Sequence, residues 1–459
     1  MVFSSTIFLF LFLPISLAIY YLAKEEYRNY WLLFVSLLFF AWAQPNYLWI
    51  ILANIAVNYT AARLMQYTKM KKIALVTCLI INLGLLVYFK YFDFLLDSIN
   101  KFFNQSLNLV GVVLPIGISF FTFQGMSYAI DVYRGQVTAQ RNPFKVALYI
   151  VLFPQLIAGP IVRYTDVVKE IDNRWISIDD FSYGIERFII GLGKKSIIAN
   201  TMAFVVDSIW DKGAGNNTVA VAWLGSIAYT LQIYYDFSGY SDMAIGLGRM
   251  FGFHFNENFN YPYISKSISE FWRRWHISLS SWFRDYVYIP LGGNRKRVYF
   301  NLTIVFLLTG IWHGASWNFV VWGIWNGIFI ILERVIKSKG IFQKMGLCYT
   351  LFVVNIGWVL FRADTLNNAV VYIQNMFGNV QGITGYTLLS YLNRWTAFIL
   401  VCGIFFATSL PTRMSNVLKL KCNERVITVI KYLLLIVIFC FSILRIVAGT
   451  YNPFIYFQF

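Results

Sequence analysis

Only three side chains in this chain titrate near neutral pH without help: His254, His276 and His313. His313 lies in Leu307-Leu308-Thr309-Gly310-Ile311-Trp312-His313-Gly314-Ala315-Ser316-Trp317-Asn318, with an apolar run on each side. An imidazole at membrane depth is costly to charge and hard to satisfy, and ionisable groups there generally serve a function. General-base work fits it, because a neutral imidazole accepts a proton at physiological pH. A hydrogen-bonded core histidine is the competing reading. Asp236, within Tyr234-Tyr235-Asp236-Phe237-Ser238-Gly239-Tyr240-Ser241-Asp242, is a candidate to orient the ring; a helix-packing hydrogen bond would also explain it. His276 sits in an Arg/Trp-rich stretch and reads either as a substrate-positioning group or as interfacial structure. His254 shows no partner signal and reads as structural. Arg273, Arg274, Arg284 and Arg295, with Trp275 and Asn294 among them, form a candidate phosphate-gripping set. A guanidinium matches phosphate oxygens in charge and fork geometry. Plain positive-inside anchoring explains each arginine equally well.

The elements that must position these groups are membrane helices. Of 459 residues 58% are hydrophobic and only 13% charged, against about 25% charged in a soluble domain. Apolar stretches long enough, or nearly long enough, to span a bilayer recur from end to end. They are continuous rather than alternating, which excludes a porin-like barrel. The expected class is an all-α polytopic membrane protein, one integral domain over 1–459. Residues 4–21 read as a retained first span, since they lack a basic n-region and a cleavage site. The net charge of +17 reads as cytoplasmic loops obeying the positive-inside rule, not as nucleic-acid binding. The five cysteines form no metal-type pair, and no metal site is expected.

Residues 133–215 are irregular, with Pro154, Gly159 and Pro160 interrupting an apolar run. Residues 218–250 read as one long span whose two acids suggest a polar cavity. Residues 266–297 are too charged to span and read as an amphipathic helix at the cytoplasmic interface. Residues 299–312 make a helix reaching past mid-bilayer. A break at Gly314-Ala315-Ser316 then turns the chain back, leaving His313 at the deep end of a hairpin entered from the cytoplasm. A basic cytoplasmic loop at 411–425 sends the last span outward, so residues 449–459 form an extracytoplasmic aromatic tail.

The stretch Ser269-Glu270-Phe271-Trp272-Arg273-Arg274-Trp275-His276-Ile277-Ser278-Leu279-Ser280-Ser281-Trp282-Phe283-Arg284-Asp285-Tyr286, continuing through Tyr288-Ile289-Pro290-Leu291-Gly292-Gly293-Asn294-Arg295, closely resembles the signature of bacterial membrane-bound O-acyltransferases. Trp312-His313-Gly314-Ala315 matches the position of that family's invariant histidine, and residues 232–259 also fit. The likeness is greatest to the branch typified by the alginate O-acetylation membrane protein and its peptidoglycan counterpart. The resemblance implies a ring of about eleven transmembrane helices around a thinned centre, with cytoplasmic and extracytoplasmic funnels meeting near the histidine. It implies transfer of an acyl group, with acetyl-CoA as donor and no permanently bound cofactor. His313 would be the catalytic base and His276 its support. The site would lie in a bacterial cytoplasmic membrane, in contact with lipid.

The tail carries Phe454-x-Tyr456-x-x-Phe459, which resembles the C-terminal motif of the small partner protein of teichoic acid D-alanylation, whose tyrosine is thought to accept the acyl group. A phenol of pKa about 10 is a better leaving group than a sugar hydroxyl, so an acyl-Tyr456 would stay activated for a second transfer. An interfacial aromatic anchor is the alternative. The expected onward carrier is an extracytoplasmic SGNH hydrolase-type transferase acting on a polysaccharide. Two other functions stay open: a transporter of an acyl donor or glycan without bond chemistry, whose broken helices and buried acids would look alike, and D-alanyl transfer of the teichoic acid type.

Overall fold

A computed structural model of the chain describes residues 1–157, 159–336, 346–379, 385–449 and 455. Helix makes up 77% of it, and no strand occurs among the described residues. Among the described residues, five helices are long and apolar enough to cross a bilayer: Pro45–Tyr67, Lys71–Phe103, Ile178–Trp210, Trp317–Ile336 and Glu424–Ala448. A sixth follows if Arg394–Phe406 and Leu410–Lys421, bent by 72°, count as one span. Phe8–Leu22, Val298–His313 and Gly346–Arg362 are shorter apolar helices. This is a multi-pass, all-helical membrane protein. Residues 411–425, expected as a loop, are largely helical over Leu410–Lys421.

The described residues divide into two compact units. The first comprises Met1–Phe188 with Met243–Asn256. In it Leu48–Tyr67, Lys71–Leu86 and Ile118–Tyr133 meet at a small-residue core of Ala61, Met65, Cys78 and Ala129. An amide cluster sits beside it: Asn54 Nδ2 donates to Asn82 Oδ1 at 2.6 Å, and Asn82 Nδ2 to Asn58 Oδ1 at 3.2 Å. Such interhelical amide bonds hold apolar helices together where burial alone does not drive association. The irregular stretch is broken as its prolines suggest. Pro143–Val151 stops at Leu152, Phe153–Leu156 makes one turn, and the next helix among the described residues is Tyr164–Asp172. Protein groups satisfy this backbone, as they must away from water: Phe153 N–H donates to Ser36 Oγ at 3.1 Å, and Gln155 Nε2 to Tyr149 O at 2.6 Å.

His254, which shows no partner signal in the sequence, has two acidic partners. Its Nδ1 lies 2.7 Å from Glu170 Oε1 and its Nε2 3.5 Å from Asp180 Oδ1, which also pairs with Arg249 at 2.6 Å. These acids stand far upstream in the sequence, where no local pattern ties them to it.

The second unit comprises Ile189–Asp242 and Glu257–Phe459. The helix Val219–Met250 contributes its earlier residues to this unit, and it is one continuous element as expected. The two acids read as signs of a polar cavity face consecutive lysines: Asp236 Oδ1 lies 2.6 Å from Lys195 Nζ, and Asp242 Oδ2 2.6 Å from Lys194 Nζ. Both lysines belong to a π-helical turn, Lys194–Ala199. Gly239 lies between the acids, and a Cβ there would stand 2.8 Å from Gly191 O. The absent side chain thus lets the two backbones approach until both pairs close.

Candidate active site

His313 ends the helix Val298–His313; Gly314 is extended, and Trp317–Ile336 starts after a three-residue turn. The hairpin therefore breaks where the sequence predicts. Ser316 Oγ accepts from Asn318 N–H at 3.2 Å, capping the second helix. Two glycines set how closely its arms approach. A Cβ on Gly310 would lie 2.3 Å from Phe319 O, and one on Gly323 2.4 Å from Phe306 O. Small residues at such crossings let membrane helices pack backbone to backbone. Asn318 Nδ2 donates to Ala363 O and ties the turn to the end of Gly346–Arg362.

The His313 side chain is 2% exposed. Three rings surround it edge to face: Trp312 at 5.0 Å, Trp322 at 5.0 Å and Phe361 at 5.2 Å between centroids. The Trp312 ring also lies 6.0 Å from His276. One indole therefore separates the two histidines named from the sequence.

His276 does not ride on one interfacial amphipathic helix, as expected. Residues 266–297 fold as two short helices, Ile268–Arg274 and Ile277–Phe283, followed by a π-helical turn Arg284–Tyr288. Their aromatic faces are buried, which is why a surface helix does not form. Glu333, from another helix, caps the first: its Oε2 accepts from Ser269 N–H at 3.0 Å and from Ser269 Oγ at 2.8 Å. Trp275 and His276 make the corner, with His276 in the left-handed region at φ 43°. Non-glycine residues use this conformation sparsely, and histidine is among the types that tolerate it.

The His276 ring is 0% exposed, with Phe237 edge-on at 4.5 Å. Its Nδ1 lies 3.2 Å from Asn258 Oδ1, which also accepts from Ser278 N–H at 3.1 Å and Ser278 Oγ–H at 2.9 Å. Asn258 Nδ2 donates to Ser241 Oγ at 3.1 Å, which fixes the orientation of the amide. An acceptor at Nδ1 places the proton there and leaves the lone pair on Nε2. Nε2 meets no hydrogen-bond partner among the described residues. Burial pushes the pKa of this ring down to about 3, so the imidazole is neutral at any physiological pH. A neutral ring with a directed, open lone pair can accept a proton or a hydrogen bond from a substrate.

The other sequence candidates fall into two groups. Asp236 is 1% exposed and gives its contacts to Lys195 and to Ile455 N–H, at 2.9 Å from Oδ2. Trp275 is buried among Trp358 at 4.9 Å, Phe259 at 5.1 Å and Phe271 at 5.6 Å. Arg273, Arg284, Asn294 and Arg295 are exposed. Arg284 forks onto Asp285 at 2.6 and 2.9 Å, which raises its pKa further, and half-buried Arg274 pairs with Glu270 at 2.9 Å. Asn294 Oδ1 accepts from Arg334 Nη1 at 3.0 Å. Arg334, absent from the set named from the sequence, thus joins it through Asn294. Tyr456 lies outside the described residues.

Residues 19–362 match the membrane-bound O-acyltransferase family, a span that holds both histidines. The chain is 42% identical to the probable alginate O-acetylase AlgI of Pseudomonas putida, with 100% of both chains covered. It is 36% identical to the peptidoglycan O-acetyltransferase of Helicobacter pylori over 82% of this chain and 80% of that one. To the teichoic acid D-alanyltransferase of Bacillus subtilis it is 32% identical, over 47% of this chain and 58% of that one. The chain is an enzyme, an O-acyltransferase, and it belongs to the membrane-bound O-acyltransferase family.

Proposed function

We propose that this enzyme moves acetyl groups from cytosolic acetyl-CoA across a bacterial cytoplasmic membrane for O-acetylation of a cell-wall or exported polysaccharide. The observation that carries the reading is the pair of buried histidines on either side of one indole, in a chain whose full-length relative is named an alginate O-acetylase. About eleven spans surround a thinned centre, and two funnels meet at His313. Residues 449–459 lie on the extracytoplasmic side. Arg273, Arg274, Arg284 and Arg295, with Asn294 and Arg334, hold the phosphates of the donor; Trp275 backs them from the core.

His313 is the base. It takes the phenolic proton of Tyr456 as that oxygen attacks the acetyl carbonyl carbon. The carbon–sulfur bond breaks, and the coenzyme A sulfur takes the proton back from the imidazolium. The ring returns to its neutral form, and free coenzyme A and acetyl-Tyr456 are left. His276, neutral with its Nε2 open, holds a substrate hydrogen in line. The rings that cover His313 must part to admit thioester and phenol, so Trp312, Trp322 and Phe361 gate the reaction. An SGNH hydrolase-type partner then takes the acetyl group on its own hydroxyl, and the phenol leaves. A transporter and a D-alanyl transferase share neither outcome.

The test is purified full-length protein given acetyl-labelled coenzyme A. Release of free coenzyme A together with label mapping to Tyr456 is the expected result. An intact thioester after complete uptake would support transport, and label that stays when Tyr456 is changed to Phe would remove this residue as carrier.

A further inference from the structure

Lys195 and Asp236 are 2% and 1% exposed, and their ion pair is 2.6 Å long. A pair this dry adds little to stability, because desolvating two charges offsets most of their attraction. The second oxygen of the carboxylate has another use. Asp236 Oδ2 accepts the backbone N–H of Ile455 at 2.9 Å. Ile455 belongs to the C-terminal segment, far from Asp236 in sequence, and its side chain is 7% exposed. The contact is to main chain, so it holds the position of the segment whatever side chain stands there. Phe237, next to Asp236, packs edge-on against His276 at 4.5 Å. On the other side of Asp236, Tyr235 donates to Gly403 O at 2.7 Å, which fixes that turn of the helix.

From these contacts we infer that Asp236, aimed by Lys195, is the latch that holds the C-terminal segment at Ile455, one residue along the helix from the ring that packs on His276. Lys195 uses the first oxygen, so the carboxylate can present only the second. Asp236 is thereby a positioning residue for the tail rather than an orienter of the His313 ring. Its consequence for acetyl transfer rests on the reading that Tyr456 is the carrier; the seating of the tail does not.

Hydrogen–deuterium exchange of the full-length protein in nanodiscs separates the two. The peptide covering 449–459 is followed in wild type, in the double variant Lys195→Met/Asp236→Leu, and in Ile455→Pro. The double variant removes both charges and so leaves neither buried alone. Ile455→Pro removes the donor and leaves the ion pair intact; Ile455→Leu keeps the donor and serves as the control. A hydrogen bond to a charged acceptor should slow exchange of the Ile455 amide by about tenfold to a hundredfold. That protection is expected in wild type and Ile455→Leu and lost in the double variant, with the neighbouring tail amides speeding up in Ile455→Pro. The same two variants should lose acetyl labelling of Tyr456 while Ile455→Leu keeps it. A wild-type tail with every amide exchanging at the free-peptide rate would overturn the latch. So would full tail protection in the double variant while its helices remain protected. If the double variant fails to fold, Ile455→Pro decides alone: unchanged exchange of the neighbouring amides refutes the latch. A latched tail in a protein whose Tyr456→Phe variant acetylates normally would overturn the carrier role and leave the latch standing.

Discussion

His276→Asn is the most informative single change at the site. Asparagine tolerates the left-handed backbone that residue 276 occupies at φ 43°. Its side-chain amide can still donate to Asn258 Oδ1, so the corner should keep its local bonds. What disappears is the imidazole, with its Nε2 lone pair and its titration. In the folded protein the ring has a pKa near 3, against about 6.5 in an unfolded chain. The folded-state value is depressed, so between these limits the unfolded state binds the extra proton. Stability attributable to this group is therefore fully present above about pH 6.5 and declines as pH falls toward 3. Between pH 7 and pH 5 the loss comes to about 2 kcal/mol, at about 1.4 kcal/mol per pKa unit. The assay is equilibrium unfolding in detergent at both pH values for wild type and variant. Other groups titrate in both proteins, so only the difference of differences counts. Wild type should lose about 2 kcal/mol more than His276→Asn on going from pH 7 to pH 5. Equal losses would mean that the ring is solvated or already charged, and the reasoning about a neutral His276 would fail.

Other expectations follow from the same contacts. Gly323→Leu forces a side chain against Phe306 O across the hairpin; it should cost about 1–3 kcal/mol of stability and lower turnover by displacing His313, which thermal unfolding and a coenzyme A release assay measure together. Arg334→Ala and Arg295→Ala should raise the KM for acetyl-CoA roughly threefold to tenfold with kcat little changed, and the effect should shrink in high salt. His254→Gln opens two partly exposed pairs in the first unit; stability should fall by about 1 kcal/mol or less, with turnover unchanged.

Much of the site was legible because its signals are local. The apolar run to His313, the small residues after it and the apolar return together specify a hairpin, and the helix ends at that residue. The long helix through Asp236 and the break near Pro154 follow from comparably short-range patterns. What the sequence withheld is pairing over distance. Nothing near His276 announces Asn258 as its acceptor, or that Trp312 joins it to His313. Charge near an interface looks the same whether an acid lines a cavity or meets a lysine one helix away, so Lys194 and Lys195 went unnoticed as partners. Likewise 266–297 has the composition of a surface helix. Only the packing of Trp272, Trp275 and Trp282 into the second unit, with Glu333 capping from elsewhere, shows why it folds as two short pieces.

The proposed reaction depends most on proton transfer by His313. Single-turnover release of coenzyme A from acetyl-CoA, by purified wild type and by His313→Ala of equal thermal stability, tests it most directly. A loss of about 100-fold or more is predicted, the contribution expected of a positioned general base. Release by the variant within about threefold of wild type, far inside that range, would contradict the assignment.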